Sequence, residues 1–204
     1  MKVKLLAVTE QAEALIEYAA RICYQSAGRS QADKRGKFLQ ALIAKGHESP
    51  LEHASATFHL AECSRAMTHQ LVRHRLMSVS QQSQRYVSES GFAYVVPPSV
   101  AAADQEAYQQ DMEAIRALYA KWKARGLRNE DARFVLPNSC QTELVITANF
   151  REFRHIFKVR CLPQAQSEIR QACGMMLKLL HAKAPHVFED LLPLLAKSAP
   201  PQEG

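Results

Sequence analysis

Apolar and polar residues alternate along some stretches of the chain and recur at helical spacing along most others. VKLLAV at 3–8 reads as a short strand, and EQAEALIEYAARICY at 10–24 spaces its apolar residues three and four apart, as an amphipathic helix does. A polar loop is expected around 26–30. A second helix near 32–45 should stop at Gly46, because glycine enters the left-handed conformation that ends helices. ASATFHL at 54–60 alternates enough to be a strand. Ser64 is placed to cap a helix running through RAMTHQLVRHR to about Arg75.

The segment 78–86 is rich in Ser and Gln and has little apolar periodicity, so extended or loop structure is expected there. FAYVVP at 92–97 reads as a strand closed by Pro97 and Pro98. Ala103 to Arg125 predicts a long polar-faced helix stopped by Gly126. A short helix near 129–135 should end before Pro137, since the residue preceding a proline is pushed out of the helical region. QTELVITA at 141–148 has the alternation and branched side chains of a half-buried strand. Helices near 151–160, 164–184 and 186–195 follow, and the tail at 197–204 is expected to fray. With no internal repeat and no linker, the pattern predicts one α+β domain over 1–204, a mainly antiparallel sheet flanked by long helices.

Composition narrows the class. At 204 residues, 47% hydrophobic and 23% charged, the chain is long enough to bury its own core. The apolar run in MKVKLLAVTE is too short for a secretory signal, and nothing approaches the roughly 18 apolar residues of a membrane span. A cytoplasmic protein is expected. The five cysteines (Cys23, Cys63, Cys140, Cys161, Cys173) form no C-x-x-C pair, which suits reduced thiols in small buried positions rather than a disulfide framework or metal site. The net charge of +6 favours an anionic partner without choosing among nucleic acid, an acidic cofactor and a phosphorylated metabolite.

The position of that charge says more. Arg73, His74 and Arg75 lie at the predicted helix end, where the helix dipole favours cations. Successive helical residues point about 100° apart, so the three fan out and suit a large ligand with several anionic parts, or two ligands that meet. If 80–86 is extended, Gln81, Ser83 and Arg85 share a face and make a phosphate or carboxylate cradle. Spacing alone leaves this reading open beside a solvated basic turn.

Arg73-His74-Arg75, seven residues, then Ser83 is the RHR-x7-S pattern, and Arg85-Tyr86 extends it. GHESPLEH at 46–53, ARFVLPNSCQTELVITANFREFRHIFKVR at 132–160 and AQSEIR at 165–170 follow the same family's other blocks in order. Over about half its length the chain thus resembles the flavin-dependent thymidylate synthases. That resemblance implies FAD, dUMP and 5,10-methylenetetrahydrofolate as ligands, NADPH as the reductant of the flavin, and a homotetramer whose active sites draw on several subunits. By matched position, it implies FAD contacts from Ser49, Arg73, His74, Arg75, Gln81, Asn149, Phe150, Arg151 and His155. It implies dUMP contacts from Gln70, Leu71, Val72, Arg73, Gln81, Gln82, Ser83, Gln84, Arg85, Arg133 and Arg160. His47 takes a catalytic-site position, and Arg160 matches the arginine that binds the pyrimidine and stabilises its ionisation at N3. An always-charged guanidinium can do this without transferring a proton of its own.

Two features agree with the resemblance independently. The seven glycines form neither G-x-G-x-x-G nor a P-loop, so a dinucleotide's pyrophosphate would need side-chain cations. No cysteine follows a proline, so the Pro-Cys nucleophile of the flavin-free thymidylate synthases is missing. Ser83 reads as a ligand-binding hydroxyl rather than a nucleophile, because no base can be assigned beside it. His47, Glu48, Glu52 and His53 lack zinc spacing, and no metal is expected. His59, His69, His181 and His186 read as structural or surface residues, and KWKARG around Trp122 as the end of a solvated helix. The departures from the family pattern are Gln81 in place of a common glutamate, Ser80 for a frequent asparagine, Gln164 where some members have histidine, and His155 where some have asparagine. A nucleic-acid-binding module is the main rival, but residues 64–85 contain no Phe, Trp or Tyr to stack on bases. A flavoprotein without methyl transfer is the third reading, and only Gln81 supports it.

Overall fold

A computed structural model describes residues 1–23, 25, 26, 28 and 30–196; the tail expected to fray lies outside them. Four strands, β1 (Lys2–Val8), β2 (Ser55–Ser64), β3 (Met77–Gln81) and β4 (Gln141–Asn149), form one antiparallel sheet in the order β1-β2-β4-β3. Along β4, Thr142, Leu144, Ile146 and Ala148 are buried while their neighbours are not. This is the period-two pattern of a strand with one face in the core.

The helices are α1 (Ala12–Ile22), α2 (Arg35–Ala44), α3 (Arg65–Leu71), α4 (Gln105–Ala124), α5 (Asn129–Ala132), α6 (Phe150–Arg160), α7 (Ser167–His181), α8 (Pro185–Phe188) and α9 (Pro193–Ala196). Phe150, Phe153 and Phe157 recur along one side of α6. Phe153 meets Phe58 of β2 edge to face with ring centres 5.4 Å apart, and Phe150 and Phe157 both meet Phe188 of α8. Ile169, Cys173, Met176, Leu177 and Leu180 of α7 complete this core. Each large apolar side chain so buried contributes about 1.5–3 kcal/mol. A smaller cluster of Phe92, Met112 and Cys140 seats α4.

Two strands run directly into helices, and both junctions are capped. Ser64 Oγ accepts the Met67 N–H at 3.0 Å, and Asn149 Oδ1 accepts the Glu152 N–H at 2.9 Å, the arrangement that favours Ser and Asn at helix starts. Glu168 of α7 reinforces the first, accepting from Ser64 N–H at 2.7 Å and from its hydroxyl at 2.5 Å. Ser55 pairs with Asn149 and Ser64 with Gln141. Helices α3 and α6 therefore begin at opposite ends of the sheet and run back toward one another, so their C-terminal ends meet.

Several sequence expectations need correction. Helix α3 stops at Leu71 rather than Arg75; the His74 N–H turns back to the Leu71 carbonyl at 3.1 Å, and 73–75 are irregular chain leading into β3. FAYVVP is not a strand but makes one isolated bridge, Tyr94 to Cys140. Its backbone is otherwise engaged: Arg116 donates twice to the Phe92 carbonyl, and Pro97 and Pro98 have no N–H to offer. Gln81, Ser83 and Arg85 do not share a face, because β3 ends at Gln81 and the Val87 N–H closes a turn onto the Ser83 carbonyl at 2.9 Å. The helix expected over 186–195 is broken into α8, a 3₁₀ turn at Glu189–Leu191 and α9, with Pro193 starting the last piece. The one expected over 164–184 spans only 167–181. Gly46 and Gly126 end their helices with φ of 74° and 88°, as expected.

Candidate functional site

Where α3 and α6 converge, a cleft of about 660 Å³ opens, lined by His69, Gln70, Arg73, Arg75 and Arg160. Every one of these side chains is polar and three are guanidinium groups, set at the negative ends of two helices. Arg160 is held on two edges: Nε donates to His74 Nε2 at 3.0 Å and Nη2 to the Gln70 carbonyl at 3.1 Å. Because guanidinium only donates, the His74 Nε2 must be an acceptor, and the ring is neutral with its proton on Nδ1. His74 is 8% exposed. Burial, then the charges of Arg160 and His155, push its pKa down to about 4. Its Nδ1 lies 3.8 Å from Glu152 Oε1, and its ring stands edge-on to His155 with centres 5.6 Å apart. Burial raises the Glu152 carboxyl against the pull of His155.

A second group surrounds the turn after β3. Arg65 Nη1 donates to the Gln82 carbonyl at 3.1 Å, and the Ser83 hydroxyl accepts the Arg85 N–H at 3.2 Å. Gln84 is buried beside Glu89, whose carboxyl is raised by burial despite Arg65 and a hydrogen bond from Gln84. Arg85 pairs with Glu130 at 2.9 Å, Arg128 reaches the other oxygen at 2.6 Å, and Arg133 Nε donates to the Glu130 carbonyl at 3.2 Å. Gln81 faces inward instead, its amide donating to Thr68 Oγ1 at 3.0 Å and Thr142 Oγ1 at 3.3 Å.

A third group lies in a pocket of about 380 Å³ lined by His47, Glu48, Ser49, Cys23 and Arg151. Glu48 joins Lys158 at 2.8 Å and Arg154 at 3.5 Å. Its burial would raise the carboxyl, but these two cations outweigh that and hold it below the usual range. Arg151 pairs with Glu52 at 2.5 Å.

The sequence-predicted residues thus divide into three patches. Arg73, Arg75, Gln70 and Arg160 come together, with His74 and His155 behind them. Gln82, Ser83, Gln84, Arg85 and Arg133 form the second, and His47, Ser49 and Arg151 the third. Leu71 and Phe150 are fully buried in the core, Asn149 is occupied as the α6 cap, and Val72 is exposed. Sequence reasoning took His69, which lines the cleft, for a structural or surface residue, and passed over Glu152, Arg65 and Glu130. His69 had a usable signal, since it stands four residues before Arg73 on a helical pattern. The other three are brought in by tertiary packing. Among the described residues no group of His, Cys, Asp and Glu is arranged to hold a metal ion.

Comparison with known proteins gives this arrangement a family. Residues 4–186 match the family described as thymidylate synthase complementing protein. The flavin-dependent thymidylate synthase of Geobacter sulfurreducens is 42% identical over all of this chain and 92% of its own length, and that of Nitratidesulfovibrio vulgaris is 42% identical over 92% and 85%. The fold matches the crystal structure of Thymidylate Synthase X from Helicobacter pylori with FAD and dUMP at a TM-score of 0.73 and 23% identity, covering 94% of this chain and 99% of that one. With the family match spanning residues 4–186 and a relative 42% identical along the whole chain, the chain belongs to the flavin-dependent thymidylate synthase family.

Proposed function

We propose that the protein converts dUMP to dTMP, taking the one-carbon unit from 5,10-methylenetetrahydrofolate and hydride from FAD reduced by NADPH, and releasing tetrahydrofolate; it is then a methyltransferase acting in the cytoplasm. The observation that carries this reading is the all-polar, three-arginine cleft at Arg160 in a chain of this family.

The residues fit the ligands. Guanidinium groups at Arg73 and Arg75 suit a diphosphate in a chain without a glycine-rich phosphate loop, and Ser49, Arg151 and His155 are assigned to the same cofactor. FAD, when bound, supplies hydride. The chain's own part is to bind and to hold charge. Arg160, anchored on Nε and Nη2, keeps Nη1 for the pyrimidine and stabilises negative charge developing on the ring. Because His74 stays neutral, it puts no positive charge in direct contact with the Arg160 guanidinium that would drive it aside. Gln82, Ser83, Arg85 and Arg133 are assigned to the nucleotide, with Glu130 holding both arginines until an anion competes for them.

The three patches support a shared site. Within one chain the second and third groups contribute nothing to the lining of the Arg160 cleft, and a homotetramer that brings patches of different copies together would complete the active site. Among the described residues no helix is long and apolar enough to cross a membrane.

The test is the visible spectrum of the purified protein before and after dUMP, followed by tritium release from dUMP labelled at C5 with methylenetetrahydrofolate and NADPH. A yellow protein whose flavin bands move with dUMP and which releases tritium is expected. Bound FAD without tritium release would overturn methyl transfer, and a colourless protein that ignores added FAD would overturn the whole reading.

A further inference from the structure

We infer that Glu152 is a positioning residue for Arg160, acting through the buried ring of His74, so that a Glu152–His74–Arg160 chain aims the guanidinium into the cleft. The inference rests on the reading of that cleft as the pyrimidine site.

Arg160 can only donate, so the bond from its Nε to His74 Nε2 exists only while that nitrogen keeps its lone pair. A neutral imidazole has two tautomers, and what faces the other nitrogen chooses between them. Here that group is Glu152, with Oε1 3.8 Å from Nδ1 and both side chains 7% exposed. The separation exceeds a formed hydrogen bond, so the carboxyl acts on the Nδ1–H dipole through the partial negative charge of its oxygen, across a gap where little water screens it. Moving the proton to Nε2 would set N–H against N–H and release Arg160 from one of its two anchors. The remaining titratable neighbours, Arg160 and His155, are basic and oppose a charged ring; Arg160 calls for the lone pair on Nε2, and the Glu152 carboxyl is the acidic group on the other side that favours the proton on Nδ1. Its own position is set by the capped first turn of α6, where Asn149 receives the Glu152 N–H. One helix thus carries the guanidinium at its end and the group that orients it near its start.

The test is a double-variant cycle read by dUMP binding to the FAD-loaded protein, with ring ¹⁵N shifts of His74 recorded in parallel. Glu152→Ala should weaken dUMP binding about tenfold and shift the His74 proton away from Nδ1, while Glu152→Gln, whose amide oxygen still faces Nδ1, should recover most of the affinity. Arg160→Ala should cost more, and the double variant Glu152→Ala/Arg160→Ala should bind no worse than Arg160→Ala alone, as expected for residues that act in series. Additive losses, or an unmoved His74 proton in Glu152→Ala, would overturn the relay while leaving the pyrimidine site standing. Unchanged dUMP binding in Arg160→Ala would remove the site and the relay together.

Discussion

Replacing Arg154 with Met tests how the third patch is held in place. Arg154 is 1% exposed, and its guanidinium meets Asp190 through two bonds of 2.7 Å, donates to the Val187 carbonyl and reaches Glu48 at 3.5 Å. Breaking a fully buried ion pair costs about 3–5 kcal/mol. Here the Asp190 side chain is 45% exposed and Glu48 is 20% exposed, so both can regain water, while the Val187 carbonyl loses a donor, worth roughly 1–3 kcal/mol if nothing replaces it. Methionine keeps most of the packing volume. The expected loss is therefore about 3 kcal/mol, or about 6–12 °C in melting midpoint for a chain of this size. Urea unfolding of both proteins at one protomer concentration measures it, with hydrogen exchange reporting whether residues 47–49 loosen as Glu48 loses a partner. Adding Asp190→Asn should recover part of the loss, because it removes a stranded carboxylate. A change below about 0.5 kcal/mol, the range of an ordinary surface substitution, would show that the buried arginine does not clamp these elements.

Four further outcomes are expected. Arg75→Ala should lower FAD retention through gel filtration, and full flavin occupancy would contradict the cationic cradle. Gln81→Glu should destabilise the fold by about 1–3 kcal/mol, since the Thr68 hydroxyl that the amide now donates to already spends its proton on the Arg65 carbonyl; an unchanged urea midpoint would refute this. His74 is neutral in the fold down to pH about 4 but takes a proton near 6.5 when unfolded. Its contribution to stability is therefore complete above pH 6.5 and falls as pH drops from about 6.5 to about 4. Melting curves across that window should show His74→Gln losing less stability than the parent, and parallel curves would contradict the buried neutral ring. Finally, a thiol reagent should modify Cys23 rapidly and the other four cysteines only on unfolding. Cys23 is exposed, whereas burial raises the thiols of Cys63 and Cys140 to about 12, Cys161 to about 11 and Cys173 far above the usual range. Fast reaction of a second thiol would refute the packing.

Periodicity and caps were enough to find the elements whose apolar residues keep one regular spacing. QTELVITA is the strand it reads as, Ser64 caps a helix, and Gly46 and Gly126 end theirs, because each depends on interactions within a few residues. The guanidinium and imidazole groups at 73–75 and the arginine at 160 were likewise visible as chemistry, since cationic side chains in a fixed order identify themselves. What lay beyond reach was decided by antiparallel pairing. Only the register of β2 against β4 turns α3 and α6 toward each other and brings Arg160 to His74, a separation in sequence that no local pattern encodes. The same packing buries Leu71 and Phe150, turns Gln81 inward onto two threonines, and converts Glu152 from one charge on a helix into the group facing His74. Local sequence determined which side chains exist and which segments are regular; the sheet, through burial and the lowered dielectric it creates, determined which of those side chains can act on one another.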